Sequence, residues 1–500
     1  MKLLAKDTAI YGLSSIIGRF LNYLLVPLYT AKMAVQDGGY GVITNMYALT
    51  AFILVLLTFG METTFFRFST KEGENPGRVF STALTGVTTV STLFFLFVIA
   101  FLSPISSFLG YEATPQFVWV MALTVTLDAI RAVPFASLRQ QKKALKFAAL
   151  QLLNIAINIL LNVIYYIGMD GHDPGYAFYI NLVCSAVITL CLYREIAGIR
   201  HGFDPQLMRR MLVYSWPIAL LGVAGVLNQV ADKILFPFLY TGSDMQQQLG
   251  IYGASVKIAM IMAMITQAFR YAYEPFVFNS SKGESLSDKS SELRDSTSED
   301  KSKVSQPSTL NPQPSTLNSQ RVQALAMKYF VIFTLLAFLC VTGWMGVLQY
   351  IIPEGYRVGL KVVPIVMAAE IMMGVYFNLS FWYKLSDKTY WGAVFSGIGC
   401  AVLISVNAFF VPHFGYMACA WGGFAGYGVA MTLSFIVGQR LHPIAYPVRR
   451  ILAYVLLAIV AWIVMCCLTS GLGLWASLVC NTLIIMAFAG VVAKKELKVF

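Results

Sequence analysis

Long apolar runs separated by short polar breaks dominate this chain. Fourteen runs approach the length of about 20 apolar residues that a helix needs to cross a bilayer. They lie near 8–31, 41–65, 79–102, 116–137, 146–168, 175–193, 212–239, 251–277, 324–348, 361–383, 390–411, 414–437, 450–469 and 472–492. The pattern predicts an all-α polytopic membrane protein with fourteen transmembrane helices, because helices satisfy their own backbone groups in lipid. Within the seventh run stands NQVADKILFPFLY, residues 228–240, where Asp232 and Lys233 sit side by side. A charge at the bilayer centre costs roughly 2.5–3.5 kcal/mol on insertion scales, so these two residues need a physical reason.

Charge sharpens the topology. Of 36 Lys and Arg, 28 fall in every second segment between runs, starting from the N-terminus. The intervening loops carry only Lys32, Arg357 and Lys361, while Arg19, Arg131, Lys233, Lys257 and Arg270 lie inside runs. Cytoplasmic loops carry the excess of basic residues, which places both termini in the cytoplasm. The net charge of +12 is thus mostly topology and implies no nucleic-acid partner. The composition agrees: 12% of residues are charged and mean hydropathy is +0.68, against roughly 25% charged in soluble domains. The first run exceeds a signal-peptide core and reads as an uncleaved span.

Chemistry of the catalytic kind is missing from the pattern. The eight cysteines lie in or beside apolar runs with no CxxC, and His172, His201, His413 and His442 show no metal-ligand spacing. No nucleophile elbow or phosphate-binding glycine loop is present. A transporter, without metal or cofactor, is expected rather than an enzyme.

Two features organise the chain. Residues 279–322 are polar, and QPSTLN occurs there twice, at 306 and 313; such composition predicts a disordered cytoplasmic insert. The chain also resembles itself. YGLSSIIGRFLNYLLVPLYT followed by YGVITNMYALTAF is echoed by YSWPIALLGVAGVLNQVADKILFPFLY followed by YGASVKIAMIMAMI. Aligning Tyr40 with Tyr252 sets Glu62 on Glu274. This predicts two pseudo-repeated six-helix lobes, 1–200 and 205–440, with two extra C-terminal helices in 445–500. Transporters built from repeats bind substrate between them.

GRFLNYLLVPLYT with YGVITNMYAL, then ADKILFPFLYTGSDMQQQLGIYGASVKIA, and the basic LRQQKKALKFA, resemble the Wzx-type O-antigen and capsule flippases. That family belongs to the superfamily that also holds MATE exporters and lipid II flippases. The resemblance covers nearly all of the chain except 279–322. It implies a MATE-like fold in the bacterial inner membrane and a job there. An undecaprenyl-pyrophosphate-linked O-antigen, capsule or exopolysaccharide unit would be turned to the outer leaflet by alternating access. Coupling to H+ or Na+, and contact with polysaccharide-assembly proteins, would follow.

Such a lipid needs cations for its diphosphate and hydrogen-bonding groups for its sugars. Candidate substrate-binding residues are Arg19 and Asn22 on one face of the first helix, Arg131, and the stripe Asn154, Asn158 and Asn162. Amides suit sugar hydroxyls because they both donate and accept; the same stripe also suits hydrogen bonding between helices. Candidate coupling or gating residues are Asp128, Asp232, Lys257 and Glu370. Asp232 with Lys257, and Asp128 with Arg131 at i, i+3, are the expected ion pairs, while Lys233 is expected to snorkel outward. Two other readings stand beside the flippase. A MATE-type cation–drug antiporter would want a net acidic cavity, whereas five embedded bases here face five acids. A membrane-bound polymerase or glycosyl transferase would want a large polar outer loop, whereas those near 103–115 and 349–360 are short.

Overall fold

A computed structural model describes residues 25–71, 73–197, 202–295, 314–385 and 388–497, with the backbone alone described at 271–272, 274–295, 314–319, 385 and 497. Arg19 and Asn22 lie outside the described residues, as does the side chain of Glu274. Every regular element among the described residues is helical. The longer helices are α1 (Leu25–Lys32), α2 (Gly39–Thr58), α3 (Met61–Ser69), α4 (Pro76–Ala100), α5 (Pro115–Gln140), α6 (Ala144–Val163) and α7 (Gly175–Cys191). There follow α8 (Pro205–Leu239), α9 (Met245–Asp295), α10 (Pro314–Gly343), α11 (Val363–Leu379), α12 (Tyr390–Phe414), α13 (Tyr416–Leu441), α14 (Val448–Thr469) and α15 (Leu474–Leu497).

Twelve helices among the described residues are long and apolar enough to cross a membrane. The other two expected runs differ. The first is described only from α1 onward. The sixth is α7, whose 17 residues span about 26 Å at 1.5 Å each, short of the roughly 30 Å hydrocarbon core. At the insert, α9 continues to Asp295 and α10 begins at Pro314. SKGESLSDKSSELRD holds no proline to stop the helix that precedes it.

Local chemistry sets the helix ends. Asn75 accepts from the N–H groups of Gly77 and Arg78, with Pro76 opening α4; Asp204 does the same for Gln206 and Leu207, with Pro205 opening α8. These are N-caps with proline at the position whose N–H needs no partner. One apolar run is broken from within: between α2 and α3, Phe59 and Gly60 take φ of 46° and 67°. The left-handed region is costly for a phenylalanine, and Ser215 Oγ on α8 donates to the Phe59 carbonyl that the break frees.

The chain packs as two compact units. The first holds the described residues of Met1–Ile258, Gln349–Val366 and Gly392–Val429; the second holds Ala259–Leu348, Met367–Trp391 and the described part of Ala430–Phe500. Units measure packing and the internal repeat measures chain order, so the two-lobe division remains a matter for the functional proposal. In the first unit Leu57, Phe65, Val87, Val133 and Met211 build one core, and Phe236, Tyr252, Val362 and Ala418 another. In the second, Phe330, Leu339, Ala458 and Phe488 join α10, α14 and α15.

Ion pairs within the first unit join segments that the charge alternation puts on one side. Lys32 meets Asp170, both expected outside. Arg139 meets Glu62 at 2.6 Å and Arg210 meets Glu74 at 2.6 Å, all four expected inside. Glu62 therefore holds an arginine of the LRQQKK stretch. In the second unit Lys328 donates to Glu496, which also accepts from Tyr454 Oη at 2.8 Å. Lys328 and Glu496 are both buried. Removing one partner of such a pair costs about 3–5 kcal/mol, because the other charge is stranded. Glu496→Gln should accordingly lower the melting temperature of the purified protein markedly, and Lys328→Met with Glu496→Gln together should lower it less. A double variant no more stable than either single one would refute the pairing.

Candidate functional site

Three polar constellations lie inside the first unit at membrane depth. The first is built on α5 and α7. Arg131 Nη2 reaches Asp128 Oδ1 at 2.8 Å, one turn away, and Ser185 Oγ on α7 donates to the same oxygen at 2.6 Å. The expected local pair is present, and Ser185 is a partner that sequence spacing did not signal. Arg131 Nη1 is buried with no hydrogen-bond partner among the described residues. The side chain of Asn158, from α6, comes to Cys184 beside this pair.

The second is the amide stripe of α6. Asn162 is fully buried. Its Oδ1 accepts from Tyr29 Oη at 2.8 Å, and its Nδ2 donates to the Asn158 carbonyl at 2.7 Å. Tyr29 in turn packs edge-on against Tyr166 at 5.3 Å. An amide with both ends engaged and no exposure joins α1 to α6. Asn154 differs: its Oδ1 is buried and has no partner among the described residues.

The third answers the puzzle of Asp232 and Lys233. Lys233 Nζ lies 3.0 Å from both carboxylate oxygens of Asp232. Tyr252 Oη donates to Oδ2 at 2.5 Å, and Lys233 Nζ also sits over the Tyr252 ring, 5.4 Å from its centre. The expected Asp232–Lys257 pair is therefore wrong, and so is the outward snorkel of Lys233. A four-carbon stem is long enough to fold back on the preceding residue, and doing so neutralises both charges without a second helix. One turn earlier, Asn228 Nδ2 donates to the Ser396 carbonyl on α12 at 2.9 Å, and Tyr427 Oη on α13 donates to the Asn228 carbonyl at 3.2 Å. Asp232 is thus held at a junction of α8, α9, α12 and α13.

Lys257 is left over. It lies 12 residues into α9, about 18 Å along the helix. No acid pairs with it among the described residues, and the charge that bears on it is Lys233, a like charge. Glu370 lies on α11 in the second unit. There the Arg270 guanidinium lies over the Phe377 ring at 5.0 Å.

The Asp232–Lys233 bond has a measurable signature. Asp232→Asn and Lys233→Met should each lower abundance in the membrane, and the double variant should recover part of the loss. The coupling expected of residues in contact is about 0.5–3 kcal/mol. Asp232→Asn with Lys257→Met should be additive, and coupling there instead would restore the rejected pair.

Solved structures share this fold. The lipid II flippase MurJ in an inward closed conformation superposes with a TM-score of 0.71 at 13% identity, over 97% of this chain and 99% of that one. The MATE multidrug transporter DinF-BH gives 0.60 at 15% identity, over 89% and 96%. An inward-facing MATE family multidrug transporter of the MOP superfamily gives 0.56 at 14%, over 84% and 93%. A search of curated protein sequences returns no match. The chain has the fold shared by MurJ and the MATE transporters. Residues 35–286 match the polysaccharide biosynthesis protein family, and the chain belongs to that family.

Proposed function

We propose that the protein flips an undecaprenyl-pyrophosphate-linked oligosaccharide from the cytoplasmic to the outer leaflet of the bacterial inner membrane. Both termini then face the cytoplasm, and the two six-helix lobes alternate access to a polar path. The observation that carries this reading is Lys257, a cation at membrane depth with no counter-charge among the described residues. An unneutralised cation in lipid is expensive and is explained if the missing charge arrives with the substrate. A diphosphate supplies it through charge-assisted hydrogen bonds, and the open Nη1 of Arg131 and Oδ1 of Asn154 offer further polar contacts. A cation-exporting site would be repelled by Lys257, which places the antiporter reading second.

Within this proposal Asp128 positions Arg131, and Asp232 is the coupling residue, its charge balanced by Lys233 until the site changes state. Glu370 is a second coupling candidate, and Arg19 and Asn22 extend the substrate path from the first helix. Proteoliposomes test the reading directly. Full-length protein should move a fluorescent undecaprenyl-pyrophosphate glycan between leaflets, and collapse of an imposed H+ or Na+ gradient should slow it. Transport of a cationic dye in place of the glycan would overturn the proposal.

A further inference from the structure

At the break between α2 and α3 the first unit carries an open groove of about 590 Å³, within the roughly 300–1,000 Å³ range of ligand sites. Leu56, Gly86, Val90, Phe203, Met208 and Leu212 line it. Leu56, Val90, Phe203 and Leu212 are exposed. Gly86 makes part of the recess, since a Cβ there would lie 2.1 Å from Met208 Cε. The hydroxyl of Thr58, also in the wall, is already bonded to the Leu54 carbonyl. The wall thus suits a hydrocarbon, and its concavity suits a flexible chain better than a rigid helix.

The end of this groove is basic. Phe203 and Met208 stand at the start of α8, and Arg209 is one turn before Leu212 on the same helix face. Arg78, Arg209 and Arg210 stand with Glu74 and Asp204 around the start of α8, and the Arg67 guanidinium lies over the Tyr214 ring of that helix at 5.0 Å. Arg210 and Arg78 pair with those two acids, whereas Arg209 forms no ion pair among the described residues. A membrane-surface cluster of this kind attracts anionic headgroups.

We infer that the groove is a binding site for one acyl chain of an anionic phospholipid, whose headgroup rests on Arg209 and its basic neighbours. The headgroup then stands at the membrane surface, unlike a flippase substrate whose diphosphate is drawn to membrane depth. The inference is separate from the choice of glycan.

Native mass spectrometry of the full-length protein in detergent tests it, with palmitoyl-oleoyl phosphatidylglycerol and the phosphatidylcholine of identical chains as probes. Phosphatidylglycerol should bind about tenfold more tightly, as one or two extra cation contacts allow. Val90→Trp, which fills the groove, should weaken phosphatidylglycerol binding by a similar factor. Arg209→Gln should bring the two lipids level. Arg209 is exposed, so that variant is informative even if Val90→Trp fails to fold. Equal binding of the two lipids by the unaltered protein, or an unchanged preference in Arg209→Gln, overturns the inference. Displacement of phosphatidylglycerol by equimolar undecaprenyl phosphate would assign the groove to the substrate's tail and overturn it as well.

Discussion

Gly41→Val is expected to cut glycan flipping at least about tenfold while the protein still reaches the membrane. A Cβ at Gly41 would lie 2.0 Å from the backbone oxygen of Gln246 and 2.8 Å from its carbonyl carbon. Backbone cannot rotate out of the way, so the starts of α2 and α9 must separate. The crossing is tight from both sides: a Cβ at Gly253 would meet Thr44 Oγ1 at 2.3 Å. Small residues permit such approach between membrane helices. Gly41 and Gly253 follow Tyr40 and Tyr252, the two tyrosines aligned in the sequence analysis. Overpacking typically costs about 1–3 kcal/mol, enough to shift a two-state equilibrium about 5- to 150-fold. If transport requires these helix ends to close, the variant dwells with them apart. A cysteine placed at Thr44 should then react faster with an impermeant maleimide added outside. Normal flipping and unchanged labelling in Gly41→Val would remove the crossing from the mechanism.

Lys257→Met is expected to abolish flipping with normal abundance and melting temperature. The reasoning is one of charge. Lys257 has no acid to leave stranded among the described residues, so its loss should relieve the like charge of Lys233 rather than break a pair. A structural lysine predicts the opposite, a fall in abundance. Lys257→Arg keeps a cation and should retain part of the activity, although the planar fork is not equivalent to an ammonium. Leaflet-resolved glycan transport in proteoliposomes is the measurement. Near-normal transport by Lys257→Met would end the role given to this residue as the substrate's counter-charge.

Hydropathy and basic-loop alternation made most of the fold legible, because a span must be apolar for its whole length whatever it packs against. The twelve long spans fall where the runs predict. The break at Phe59 and Gly60 was not legible, since the run stays apolar across it and the left-handed turn rests on a tertiary bond from Ser215. α7 shows the reverse problem: its run is apolar but the helix is short. Asp128 and Arg131 could be paired by helix periodicity, a local rule. Asp232 could not be assigned the right partner, because spacing gives the direction of a Cβ and not the path of a flexible lysine. Tyr252 was visible as half of a Tyr-Gly repeat, yet its bond to Asp232 depends on how α8 and α9 face one another. The role of Asn162 turned on Tyr29, 133 residues away in the chain.

The pair between Lys328 and Glu496 also carries a sense of time. The two residues are 168 positions apart. At about 5–20 residues per second of synthesis, Lys328 waits roughly 10–30 s for its partner to be made. Through that interval Lys328 has been made without the anion that later neutralises it. The buried lysine thus stays uncompensated until α15 emerges and supplies the carboxylate.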